Sequence, residues 1–191
     1  MSIYVVRHGQ TDWNKAGTVQ GRYDTELNDA GKAQAKEAKE AVRDVVFTRC
    51  LCSPLTRARQ TAEIILEGRD TPITFDDRLV EMAYGIYEGT NWRAGHYQEL
   101  RRMLANRYPG GESYLDVAHR AFSFLDEIMP LAEEGDILIV SHGGIGRVIH
   151  SYFVDDVDND AFVDNLCPNG GVRKYEPVKR FIPPVVPLPK P

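Results

Sequence analysis

Long apolar runs are missing from this 191-residue sequence; nothing in it approaches the ~20 residues that span a bilayer. Met1-Ser2 leads directly into a short apolar segment rather than a basic-then-apolar leader, so the chain reads as cytoplasmic. Cysteine is scarce. Cys50, Cys52 and Cys167 do not make a disulfide framework, which fits a reducing compartment. Positive charge is in deficit, the formal net charge being −5. That argues against a nucleic-acid-binding surface and leaves room only for a local basic pocket. Internal repeats on the scale of a solenoid are also lacking. What remains, 42% hydrophobic and 27% charged, is an ordinary globular composition, long enough for one domain with a large core.

Within that domain, taken as residues 1–182, short apolar runs alternate with helical patterns. Residues 2–6 read as a buried strand. A helix is expected from Asn28 or Asp29 to about Arg43, because Ala35, Ala38 and Val42 fall on one face. Val46 to Cys52 reads as a second strand. Ser53 as cap and Pro54 at the first helical position then predict a helix to Leu66. Ile73–Phe75 is a short strand or an extended connection. Residues 80–114, rich in Gly and Tyr, form an irregular lid-like insertion, with a helix expected between Tyr97 and Tyr108. Ala118, Ala121, Leu125, Ile128 and Ala132 then mark one face of an amphipathic helix of about 18 residues. Asp136–Ser141 is a clear buried strand, Gly143–Phe153 the helix after it, and Val172–Tyr175 a last strand. Such alternation means an α/β fold with a mainly parallel sheet. The tail, residues 183–191, holds five prolines and can form neither helix nor ladder. Its Pro184-Val185-Val186-Pro187 fits a PxxP core without a flanking cation, and its role is open. So is the oligomeric state, monomer or homodimer.

Chemistry gathers at two strand ends that match. Val5-Val6-Arg7-His8-Gly9 and Ile139-Val140-Ser141-His142-Gly143-Gly144 both run from an apolar strand into His-Gly. In an open parallel sheet, ligands bind beyond the carboxyl ends of the strands, so neighbouring strands would bring His8 and His142 into one crevice. The glycines allow close backbone approach with free N–H groups. Arg57 falls in the first turn of the helix after the second strand and faces the same edge. Arg59 points about 200° away and belongs to the surface. Glu81 lies in a loop. Beside two arginines and two histidines it is the missing acid–base element.

These segments resemble the histidine phosphatase superfamily, which includes the phosphoglycerate mutases. The resemblance runs through Arg7-His8-Gly9-Gln10-Thr11-Asp12-Trp13-Asn14 and Gln20-Gly21-Arg22-Tyr23-Asp24. It continues in Ser53-Pro54-Leu55-Thr56-Arg57-Ala58-Arg59-Gln60-Thr61, Glu81–Gly89, Pro109-Gly110-Gly111-Glu112-Ser113 and Ser141-His142-Gly143-Gly144. It implies a three-layer sandwich and hydrolysis of a small phosphorylated metabolite through a phosphohistidine, with no cofactor or metal. By resemblance, His8 is the nucleophile and Glu81 the proton donor, while Arg7, Arg57 and His142 surround the phosphoryl oxygens. Thr11, Asn14, Gln20, Gly21 and Gly143 would supply neutral contacts to phosphate. Two departures stand out. Gln10 replaces a common Glu, and Met82 follows Glu81 where the mutases carry an Arg-Tyr pair. The second favours a phosphatase over a cofactor-dependent phosphoglycerate mutase. A non-catalytic phosphate-binding module has no need of Glu81. Tyr84, Tyr87, Trp92 and Tyr97 are expected either along the leaving-group side or packed inside the lid. Cys50 and Cys52 share one strand face and are expected to be structural.

Overall fold

The computed structural model describes residues 1–154 and 158–178, so the proline-rich tail and the last residues of the expected domain lie outside it. Five strands form one sheet in the order β3-β2-β4-β1-β5. They are β1 (Ile3–Arg7), β2 (Phe47–Cys52), β3 (Ile73–Phe75), β4 (Asp136–Ser141) and β5 (Val172–Tyr175). The four inner and early strands run parallel, and β5 returns antiparallel beside β1. Parallel strands covered on both faces need apolar residues at consecutive positions, and β4 supplies them in Ile137-Leu138-Ile139-Val140, all fully buried. Alternation then divides these residues between two cores. Val5, Ile137 and Ile139 face helices α5 (Tyr114–Ile128) and α6 (Gly143–Phe153). Val6, Leu138 and Val140 face α2 (Asp29–Ala41) and α3 (Thr56–Leu66). The result is a three-layer α/β sandwich.

Several helix limits differ from expectation. Helix α2 starts where predicted, with Asn28 Oδ1 accepting from the Gly31 N–H at 2.9 Å. Helix α3 does not start at Ser53-Pro54. It begins at Thr56, whose N–H and hydroxyl both bond the Asp24 carboxylate at 2.7 Å, so its cap arrives from another loop. The hydroxyl of Ser53 is committed elsewhere, to His142. Pro130 removes a donor and divides the long helix expected near residue 125 into α5 and a 3₁₀ turn over Pro130–Glu133. The lid carries α4 (Gly95–Arg101), earlier and shorter than expected. Two short helices were not anticipated: α1 (Asp12–Ala16) and α7 (Asn159–Asp164). Among the described residues no helix is long and apolar enough to cross a membrane.

The first loop packs on α2 backbone to backbone, with the Gln34 side chain accepting from the Gln10 N–H at 2.8 Å. A Cβ at Gly31 would lie 2.0 Å from the Gln10 carbonyl oxygen, and one at Gly9 would lie 2.2 Å from the Gly31 oxygen. Gly146, inside α6, has open space around it. Gly31→Ala is therefore expected to destabilise by about 1–3 kcal/mol through overpacking. Gly146→Ala should be neutral or stabilise by up to about 1 kcal/mol through helix propensity. Urea denaturation of both variants checks the contrast.

Candidate active site

Strands β1, β2 and β4 lie side by side with their carboxyl ends level. Arg7 pairs with Ser141 and Cys52 with Val140. The chain therefore leaves the sheet at three adjacent points on one edge, carrying His8, Ser53 and His142. A cavity of about 460 Å³ opens over this edge. Arg7, His8, Asn14, Gln20, Gly21, Arg57, Glu81 and Gly143 line it.

His8 is 2% exposed, and its orientation follows from its two neighbours. The ring Nδ1 lies 2.7 Å from the Gly9 carbonyl oxygen, which can only accept, so Nδ1 carries the hydrogen. The lone pair is then on Nε2, the nitrogen turned towards the Arg57 guanidinium at 3.3 Å. Burial, reinforced by the charges of Arg57 and Arg7, holds the imidazole pKa well below its usual 6.5. The ring is thus neutral and nucleophilic at physiological pH.

Arg57 is fully buried but held on three sides. Its Nη1 donates to the Tyr23 carbonyl at 2.7 Å, its Nη2 to the Gly21 carbonyl at 2.9 Å, and its Nε faces His8. Burial brings its pKa down to about 10, so it stays protonated near neutrality. Arg7 donates through Nη1 to the Cys167 carbonyl at 2.8 Å, and its buried Nε has no partner among the described residues. The His142 ring sits 5.1 Å from that of His8, centroid to centroid, without itself lining the cavity. Its Nε2 lies 2.7 Å from Ser53 Oγ, and its buried Nδ1 has no partner among the described residues. Ser53 Oγ has no other acceptor for its proton among the described residues, so it donates to His142 Nε2, and Nδ1 carries the hydrogen. Two buried donors without acceptors, both beside His8, mark the place of an anion.

Glu81 is clamped at the start of α6. Oε2 accepts from the Gly144 N–H at 2.9 Å, and Oε1 from Ile145 and Met82 at 3.0 and 2.8 Å. Only a glycine fits at 144, because a Cβ there would meet Tyr84 Oη at 2.4 Å and Glu81 Oε1 at 2.6 Å. Oε2 has a single protein partner and keeps acceptor capacity towards the cavity.

One expectation is revised, and two contacts are narrowed to a single atom. Thr11 does not line the cavity; its hydroxyl caps α1, accepting from the Asn14 N–H at 3.1 Å. Asn14 spends its Oδ1 on the Thr11 N–H and on Asn169, leaving Nδ2 without a protein partner. Gln20 likewise accepts from Thr11 and Thr25 through Oε1, which leaves its Nε2. Of the lid aromatics, Tyr84, Trp92 and Tyr97 reach the cavity, whereas Tyr87 packs on Tyr97 and Tyr108. Met82 is in the core and Gln10 bonds Asn28, both away from the cavity. Arg59 is exposed. Cys50 and Cys52 share the α2/α3 core, where burial pushes the Cys50 thiol up to about 12. Sequence reasoning missed Asn169, which donates to the His8 carbonyl at 3.1 Å from 161 positions away. It also missed Arg147, although a lone cation inside an apolar helix was the available signal.

The two buried imidazoles link stability to pH. The unfolded chain takes up protons on both near 6.5, whereas the folded chain resists until well below. In that window the unfolded state holds more protons, so stability falls as pH drops below 6.5. The thermal midpoint should decrease between about pH 7 and pH 5.5. His8→Asn should flatten the slope; an unchanged slope contradicts a neutral, buried His8.

Comparison with known proteins agrees with this geometry. The profile of the histidine phosphatase superfamily (branch 1) matches residues 3–180. "Probable phosphatase C1687.21" of Schizosaccharomyces pombe is 32% identical over 161 residues, covering 82% of this chain and 75% of that one. "Probable phosphoglycerate mutase GpmB" of Erwinia tasmaniensis is 37% identical over 150 residues, covering 75% and 70%. The solved structure of mycobacterial glucosyl-3-phosphoglycerate phosphatase superposes with a TM-score of 0.81. It is 26% identical and covers 91% of this chain and 88% of its own. With His8 and His142 at adjacent parallel strand ends and the profile spanning nearly the whole chain, this protein belongs to the histidine phosphatase superfamily.

Proposed function

We propose that the protein is a metal-independent phosphomonoester hydrolase that acts on a small phosphorylated metabolite through a phosphohistidine intermediate on His8. The observation that carries this reading is the Nδ1 bond to Gly9, which leaves the lone pair on Nε2, beside the Arg57 guanidinium, in a ring that lines the cavity. In the first step Nε2 forms a bond to phosphorus as the ester P–O bond breaks. Glu81, through Oε2, hands a proton to the departing alkoxide. Water then enters, Glu81 takes its proton, and the new P–O bond returns the N–P pair to Nε2. Arg7, Arg57, the Nδ1 of His142 and the Gly143 N–H hold the phosphoryl oxygens. Asn14 Nδ2, Gln20 Nε2 and the Gly21 backbone add neutral contacts. Positioning and charge stabilisation are most of what phosphoryl transfer requires.

The curated relatives include a chain named as a mutase, which keeps isomerisation as the second reading. Met82 weighs against it. At the position after Glu81 this chain places a fully buried core residue, not a cation over the substrate. The partner in either case is a small phosphorylated molecule, not nucleic acid or membrane, and the setting cytoplasmic.

His8→Ala should abolish phosphate release from p-nitrophenyl phosphate, and a chelator should leave the wild-type rate unchanged. Glu81→Gln should lower kcat by about 10²–10⁴ with alkyl phosphates, whose leaving groups need a proton. An active His8→Ala enzyme contradicts the reading. Isomerisation of 3-phosphoglycerate faster than its hydrolysis, dependent on a bisphosphorylated primer, would replace it with the mutase.

A further inference from the structure

The Glu81 side of the cavity contains a second cationic feature that phosphoryl transfer leaves unused. Arg147, in the second turn of α6, and Arg101, at the end of lid helix α4, both line the cavity. Both donate to one oxygen, the Val163 carbonyl, Arg147 through Nε at 2.8 Å and Arg101 through Nη2 at 2.7 Å. Two guanidiniums on a single carbonyl repel one another, and Arg147 is only 6% exposed.

Counter-charge is short there. Among the described residues, Asp164 is the one carboxylate within ion-pair distance of either, 3.9 Å from Arg101 and itself two-thirds exposed. Arg147 has no such partner among them. Beyond Val163 it reaches the Gly143 carbonyl only at 3.5 Å and the Tyr114 side chain, with Tyr84 and Tyr97 beside it. The Glu81 oxygens on that side already receive three backbone N–H groups. A buried planar fork of five N–H donors, opening on a cavity and facing neutral groups, suits a planar or tetrahedral anion. Trp92, Tyr97 and Leu166 complete the wall and would cover a short carbon frame.

We infer that Arg147 and Arg101 form a subsite for a second anionic group on the leaving alcohol, a carboxylate or another phosphate. Preferred substrates are therefore phosphomonoesters that carry an additional acidic group. This inference rests on the phosphatase reading and narrows it. It also locates anion recognition on α6 and α4, away from the position after Glu81 where Met82 stands.

Three probes that differ only at the para position test it: 4-carboxyphenyl phosphate, 4-carbamoylphenyl phosphate and 1,4-phenylene bisphosphate. The acidic probes should exceed the neutral amide in kcat/KM by about tenfold or more, the size of a charge-assisted hydrogen bond. Whichever acidic probe leads names the anion. Arg101→Gln, on the half-buried lid helix, and Arg147→Gln should each move that ratio towards one. Arg147→Lys, retaining charge without the fork, should keep part of it. Equal kcat/KM for acidic and neutral probes in the wild type overturns the subsite. Absence of turnover with all three counts against the phosphatase reading instead. Calorimetry then decides the subsite alone: equal affinity for the carboxyl and carbamoyl esters rejects it, and tighter carboxyl binding that Arg147→Gln abolishes supports it.

Discussion

A single short contact governs the site. The Gly9 carbonyl, 2.7 Å from His8 Nδ1, fixes which ring nitrogen holds the proton. With the opposite tautomer, Nε2 would point a hydrogen at Arg57, donor against donor. The contact exists because Gly9 packs backbone-to-backbone on Gly31, which a side chain at either position would prevent. Helix α2, more than twenty residues away in sequence, thereby sets the chemistry of the first strand's end.

Around that ring the fold sets two guanidiniums and a second imidazole beside the cavity. Arg7, Arg57, and His142 with its depressed affinity for protons form an environment that is unfavourable until an anion arrives. Backbone carbonyls of Tyr23, Gly21 and Cys167 satisfy part of the guanidinium donors, and the remaining donors face the cavity. Such preorganisation reduces stability in the free protein and leaves little reorganisation for the reaction itself. The carboxylate of Glu81, anchored by the α6 N-terminus on the other side, lines the same cavity.

The parts legible in the sequence were those whose physics is local. Strands β1 and β4 stand out as unbroken apolar runs, and both end in His-Gly, so pairing them places two imidazoles together. Asn28 announces α2 because its cap is three residues away. What was illegible depends on distant contacts. Helix α3 is capped by Asp24, over thirty residues upstream, so Ser53-Pro54 gave a false start. Helices α1 and α7, of five and six residues, are too short to show a period. Thr11 looked like a phosphate ligand within a polar motif, yet its hydroxyl is needed as a cap. Asn169 lies in a loop with no pattern around it, and only the return of β5 beside β1 brings it to the His8 carbonyl.

The central claim is that phosphorus bonds to His8 before water attacks. Transfer of a phosphoryl group made chiral with oxygen isotopes from a phosphomonoester to an acceptor alcohol in place of water, followed by stereochemical analysis of the product, tests that order directly. Two successive in-line displacements predict net retention of configuration at phosphorus. Net inversion would mean that the acceptor attacks the substrate in one step, and it would contradict a covalent role for His8.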